Sequence, residues 1–198
     1  MTRLNWPNRL TIARIILILP FVICLLNLNT GWAGWRYVAM ALFGFMALSD
    51  AADGFLARFL NESTALGRFL DPVGDKLLVT CAVILFSIDA TSVHGFPLPS
   101  WVPAIAIGKD LLTVIGFLLV YAVTGQFLLQ PRILGKSCTV VQLAMVAFGL
   151  LAPNLPTAVQ GLWPAFWWIS STLAVVALLD YVRLGSRFAA EHHAEPPR

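Results

Sequence analysis

Six long runs almost without charge decide what this chain can fold into. They span roughly Thr11–Leu28, Trp35–Ser49, Leu77–Ile88, Trp101–Val123, Thr139–Ala152 and Leu162–Leu179. Hydrocarbon offers the backbone no water to bond, and a helix satisfies its amides and carbonyls within its own segment. Such runs predict membrane-crossing helices, the third continuing from the polar stretch before it and the second running on past Asp50. The whole chain agrees: 59% of its 198 residues are hydrophobic and 12% charged, where a soluble domain is about half apolar and about a quarter charged. The fold class expected is all-α, a polytopic membrane protein of six transmembrane helices. Residues 1–190 form one membrane domain in this reading, and 191–198 a short polar tail. No internal repeat and no soluble domain is apparent.

Basic residues orient the spans. With the N-terminus cytoplasmic, the cytoplasmic segments contain Arg3, Arg9, Arg58, Arg68, Lys76, Arg132, Lys136, Arg183, Arg187 and Arg198, and the opposite loops contain Arg36. The positive-inside rule then predicts both termini cytoplasmic. The net charge of +3 is explained by a basic rim facing anionic membrane lipids, with no nucleic acid as partner. Tryptophans 32, 35, 101, 163, 167 and 168 cluster near the opposite ends of the runs, where interfacial anchors belong. Cys24, Cys81 and Cys138 lack CxxC spacing and read as small hydrophobes, not as a disulfide framework or zinc site. The first run, with Arg3 and Arg9 before it and Arg14 near its start, has no small-residue cleavage site behind it, so it reads as a retained helix.

The chemistry is concentrated between Asp50 and Asp75, in DAADGFLARFLNESTALGRFLDPVGD. Asp50, Asp53, Gly54, Ala57 and Arg58 recur at steps of three and four and share one helical face; Gly67, Asp71 and Asp75 share a face of the next helix. Asn61, Glu62, Ser63 and Thr64 between them supply turn and N-cap chemistry. Two antiparallel helices joined there would turn four carboxylates toward one another. At a membrane boundary such a group repels itself and is costly to desolvate unless cations sit within it. Oxygen donors without a nearby histidine favour Mg²⁺ or Mn²⁺ over zinc. Two such ions would suit phosphoryl chemistry, clamping attacking and leaving oxygens. Gly54, Ala57 and Gly67 leave room for a ligand or a partner helix, while Arg58 and Arg68 can meet phosphate oxygens. The plainer alternative is interfacial carboxylates paired with arginines, which suits one aspartate better than four at these spacings.

This segment resembles the signature of the CDP-alcohol phosphatidyltransferase family: DxxDGxxAR, eight residues, then GxxxDxxxD. All eight fixed positions match, at Asp50, Asp53, Gly54, Ala57, Arg58, Gly67, Asp71 and Asp75. The resemblance implies that Asp50, Asp53 and Asp71 bind a metal pair with Asp75 contributing. It implies Asp75 as general base on the acceptor hydroxyl. Gly54 and Arg58 would contact the CDP moiety of CDP-diacylglycerol, with Thr64 a further candidate. The N-terminal NWPNRLTIAR is similar to the segment before the first helix in members acting on glycerol-type acceptors, which adds Asn8 and Thr11 as nucleotide contacts or simply as helix caps. The family likeness also implies a homodimer, located in the cell inner membrane with its active site toward the cytoplasm.

Charges inside the apolar runs bear on the acceptor. Arg14 lies just inside the first run and Lys109–Asp110 well inside the fourth, while Arg132 and Lys136 precede the fifth. Lys109–Asp110 is either a self-neutralising pair or the wall of a polar cavity for an anionic acceptor. Arg132 and Lys136 are acceptor contacts or positive-inside markers. A basic pocket favours a phosphate-bearing acceptor, glycerol 3-phosphate or phosphatidylglycerol, over inositol, choline or ethanolamine. PRILGKSCTVVQ is similar to the matching region of both the phosphatidylglycerophosphate-synthase and the cardiolipin-synthase branches. In the fourth run Lys109–Asp110 replaces the arginine–glutamate of the former branch and looks closer to the arginine–aspartate of the latter. The same chemistry on inositol phosphate or serine is the alternative. An aromatic prenyltransferase would need a second, distant aspartate cluster, and a divalent-ion transporter should show inverted repeats or helices broken at mid-membrane.

Overall fold

The computed structural model describes residues 6–60, 65–124 and 133–193, with side chains for 12–49, 74, 76–122 and 133–187. Six long helices account for most of these: α1 (Trp6–Leu26), α2 (Gly34–Leu60), α3 (Ala65–Phe86), α4 (Trp101–Thr124), α5 (Ile133–Leu151) and α7 (Trp163–His193). A 3-10 turn (Ala152–Asn154) and a one-turn helix, α6 (Thr157–Gln160), connect α5 to α7. Among the described residues there is no strand, as the uniform apolar runs require. By length and composition the helical stretches Trp101–Ala122, Ile133–Asn154 and Thr157–Arg187 can each cross a membrane, and Ile12–Leu26 and Lys76–Phe86 are shorter apolar helices. The protein is an all-α, polytopic membrane protein.

The helices meet along stripes spaced at helical period. α1 packs on both α2 and α3, α4 packs on α7, and α5 touches α2, α3 and α7 and so joins the two groups. α5 buries Cys138, Gln142, Met145, Val146, Gly149 and Leu150, a continuous seam at steps of three and four. Association in lipid rests on close packing more than on hydrophobic exclusion, so small residues matter at contacts. Gly149 shows this: a Cβ there would lie 2.6 Å from Phe86 Cε2 and 3.0 Å from a ring carbon of Trp163. Phe21 and Phe43 pack α1 on α2 with ring centroids 6.0 Å apart. Outward-facing Leu111, Leu118, Leu119 and Val182 are exposed, as residues facing acyl chains are.

One end of the bundle is closed by bonded loops. Asn29 Nδ2 donates to the carbonyls of Ala90 and Ser92, each at 3.1 Å, tying the α1–α2 loop to the α3–α4 loop. Trp163 Nε1 donates to Pro97 O at 3.1 Å. Arg36, the basic residue expected on this side, donates to Leu150 O at 3.1 Å and Asn154 Oδ1 at 2.7 Å. Its charge is spent on carbonyls at the C-terminus of α5, which favour a cation. Gly31 and Gly95 supply the left-handed backbone these turns need, at φ 92° and 81°.

Three expectations shift. α5 begins at Ile133, six residues before the expected span, because the segment around Gly135 and Lys136 is helical too. α7 runs on to His193, beyond Leu179, the expected end of the sixth span. Trp163 is not an interfacial anchor: it is buried, stacked on Phe148 at 6.0 Å, while Trp32 and Trp168 are exposed. Cys24 and Cys138 are buried and Cys81 half-buried, all free, as expected of small hydrophobes.

Candidate active site

Toward the other end, the stripes of α1, α2 and α3 turn from apolar to polar. On α1, the buried series Leu25, Phe21, Ile18 ends at Arg14, 2% exposed. Further steps of three reach Thr11 and Asn8. On α2, the register of buried Ala39, Phe43 and Met46 continues through Asp50, Asp53 and Ala57. On α3, counting back from buried Phe86, Ala82 and Val79 reaches Asp75, Asp71 and Gly67. Neither α2 nor α3 is interrupted across these positions, so all eight fixed positions of the motif lie on continuous helix. Asn61, Glu62, Ser63 and Thr64, read as the turn and N-cap segment between the two helices, lie outside the described residues. α1 meets α3 here: Gly74 is buried, and a Cβ there would lie in ordinary van der Waals contact, 3.5 Å from Ile15 Cγ1. That contact sets the turn carrying Arg14 against the turn carrying Asp75.

The side chains of Asn8, Thr11, Asp50, Asp53, Arg58, Asp71 and Asp75, and all of Thr64 and Arg132, lie outside the described residues, as does any bonding at Gly54. Among the described residues, no three His, Cys, Asp or Glu gather as a metal site. The fit of divalent ions therefore rests on the donor set, four carboxylates in helical register with neither thiol nor imidazole among them, which suits hard cations.

Of the expected acceptor residues, Arg14, Lys109 and Lys136 have described side chains, and Lys109 is ion-paired. Lys109 Nζ lies 2.8 Å from Asp110 Oδ1, and Lys76 Nζ from α3 reaches the same oxygen at 2.9 Å. The Lys109 side chain is 7% exposed, that of Asp110 28% and that of Lys76 46%. The pair expected from sequence is made, but it is a triad, and its second cation comes from the residue after Asp75. Lys76 entered the sequence reading only as a topology marker. The signal for it was its place beside Asp75, together with an aspartate in mid-span that needed balancing. A cavity of about 10 Å³ lies against Lys76 and Asp110, lined also by Thr80, Ala106, Thr139 and buried Gln142. Lys136 is exposed, near the start of α5. The larger cavity, about 360 Å³, is elsewhere, between α4 and α7 among Leu112, Phe117, Leu178 and Tyr181. Its walls are mostly apolar, with the hydroxyls of Thr113, Tyr181 and Ser186 among them and no charged side chain.

The CDP-alcohol phosphatidyltransferase profile matches residues 4–185, nearly the whole chain. The chain belongs to the CDP-alcohol phosphatidyltransferase family. Its members generally use divalent metal ions, which agrees with the carboxylate donor set. Membership makes the protein an enzyme of phospholipid biosynthesis embedded in the membrane, a phosphotransferase for substituted phosphate groups. Among curated relatives, a Bacillus subtilis (strain 168) protein is 37% identical over 162 residues, covering 77% of this chain and 79% of the relative. Proteins of Salmonella choleraesuis (strain SC-B67) and Escherichia coli (strain K12) are 32% and 31% identical over 178 residues, each covering 90% of this chain and 93% of the relative. All three are named CDP-diacylglycerol--glycerol-3-phosphate 3-phosphatidyltransferase.

Proposed function

We propose that this phosphatidyltransferase uses CDP-diacylglycerol as donor and glycerol 3-phosphate as acceptor, forming phosphatidylglycerol phosphate and CMP. The observation that carries the reading is the likeness to three relatives so named, across as much as 90% of the chain. The complete motif on two unbroken helices supports the donor half, and the cationic triad joining α3 to α4 supports a phosphate-bearing acceptor.

Asp50, Asp53, Asp71 and Asp75 would hold the metal, read as two Mg²⁺ or Mn²⁺ ions. Bound there, such ions would neutralise charge on the diphosphate and lower the pKa of a hydroxyl beside them. Gly54, Arg58, Thr64, Asn8 and Thr11 bind the CDP end of the donor. Asp75 takes the proton from the acceptor hydroxyl. That oxygen attacks the phosphorus bearing diacylglycerol, the bond from this phosphorus to the bridging oxygen breaks, and CMP leaves with the electron pair. Arg14, Lys109, Arg132 and Lys136 supply the positive field for the acceptor. All six long helices cross the cell inner membrane with both termini cytoplasmic and the site on that side, and the enzyme is a homodimer.

The test is CMP release from purified protein given CDP-diacylglycerol with glycerol 3-phosphate, phosphatidylglycerol, serine or inositol phosphate. Glycerol 3-phosphate should support turnover best. Turnover with phosphatidylglycerol but not glycerol 3-phosphate would move the enzyme to the cardiolipin-synthase reaction, and no CMP with any acceptor would sink the assignment.

A further inference from the structure

Lys109 was the cation in the fourth run most open to an acceptor role, yet its side chain is 7% exposed and its ammonium is committed to Asp110 at 2.8 Å. A cation so deep in a membrane helix needs that carboxylate. The cavity beside Lys76 and Asp110, about 10 Å³, has room for about one water and not for a glycerol phosphate. Of the triad's two ammonium groups the accessible one is Lys76, 46% exposed against 7% for Lys109, so an acceptor arriving from solvent meets Lys76 first. Two ammonium groups share one carboxylate oxygen, so the triad carries one net positive charge. A phosphate monoester, close to −2 at pH 7 with a second pKa of about 6, complements it.

We propose that Lys76 is an acceptor-phosphate contact and that Asp110, itself anchored by Lys109, is the positioning residue that holds Lys76 in place. Lys76 follows Asp75 in the chain, so the group that grips the acceptor's phosphate is one residue from the group that deprotonates its hydroxyl. The Asp110 tie from α4 then fixes both relative to the rest of the bundle. This gives the enzyme a measure of the spacing between phosphate and hydroxyl, selecting a short phosphorylated polyol over a neutral alcohol. The inference rests on the glycerol 3-phosphate reading above.

Steady-state kinetics of the full-length enzyme in detergent micelles, varying each substrate in turn, provide the test. Lys76→Gln and Lys76→Met should each raise KM for glycerol 3-phosphate about tenfold or more, the scale of one lost charge-assisted bond. KM for CDP-diacylglycerol should stay within about twofold, and Lys76→Arg should recover most of the loss. Asp110→Asn should raise the same KM, with Asp110→Glu recovering part of it. KM for glycerol 3-phosphate unchanged in both neutral Lys76 variants would overturn the proposal. So would an equal or larger rise in KM for CDP-diacylglycerol, which would assign Lys76 to the donor diphosphate. The wild-type protein separates the two readings: if it releases no CMP with glycerol 3-phosphate, the acceptor assignment fails and this inference with it; if it does and Lys76→Gln behaves as wild type, only the inference fails.

Discussion

Removing Asp110 should destabilise the protein far more than removing Lys109, although the two form one ion pair. In Asp110→Ala, Lys109 is left 7% exposed without the carboxylate 2.8 Å away. Stranding one partner of a buried pair costs about 3–5 kcal/mol. Asp110 is itself 28% exposed, so water reaches part of the site and the lower end, about 3 kcal/mol, is expected. For a chain of this length that corresponds to a Tm lower by about 6–12 °C. Lys109→Met removes the buried cation and keeps most of its volume, while Asp110 retains Lys76 at 2.9 Å; the change should be about 1 kcal/mol or less. The double variant should recover most of what Asp110→Ala loses, since no stranded charge remains. Thermal unfolding in detergent, followed with a thiol-reactive dye, reads this directly, because Cys24 and Cys138 are buried until the helices part. Unfolding of this kind is often irreversible, so the variants are compared at one scan rate. A Lys109→Met protein as unstable as Asp110→Ala, or a double variant no better than it, would refute the reasoning.

Asp75→Asn should lower the rate of CMP release by at least about a hundredfold, the scale of a lost general base, while CDP-diacylglycerol binding measured by equilibrium titration survives in part. Chelation with EDTA should abolish turnover, and Mg²⁺ or Mn²⁺ should restore it; activity that persists under chelation would remove the metal from the reading. Gly149→Ala should lower stability by about 1–3 kcal/mol in the same dye assay, because the added methyl meets Phe86 at 2.6 Å and Phe86 is buried.

Much of the fold was legible because the bilayer leaves little choice: a long uncharged run must bond its own backbone. The spans from Trp101 and through Leu77–Ile88 follow from that alone, and the helical continuation past Asp50 from the spacing of three and four in the motif. Boundaries at Ile133 and His193 were missed because polar or small residues there carry no hydropathy signal, yet helix propagates through them from apolar neighbours. Trp163 was misread because an aromatic at a span end looks the same whether it faces lipid or the loop carbonyl of Pro97.

The aspartate series from Asp50 to Asp75 was determined by sequence alone, since spacing within one helix fixes which residues share a face and the motif needs no distant partner to be recognised. The tertiary structure decided what lies across from it. Lys76 on α3 and Asp110 on α4 are 34 positions apart, and only packing of those helices brings their charges to 2.9 Å. It also decided which of two lysines is buried and which is open, a difference set by the neighbouring helices and not by the residue type.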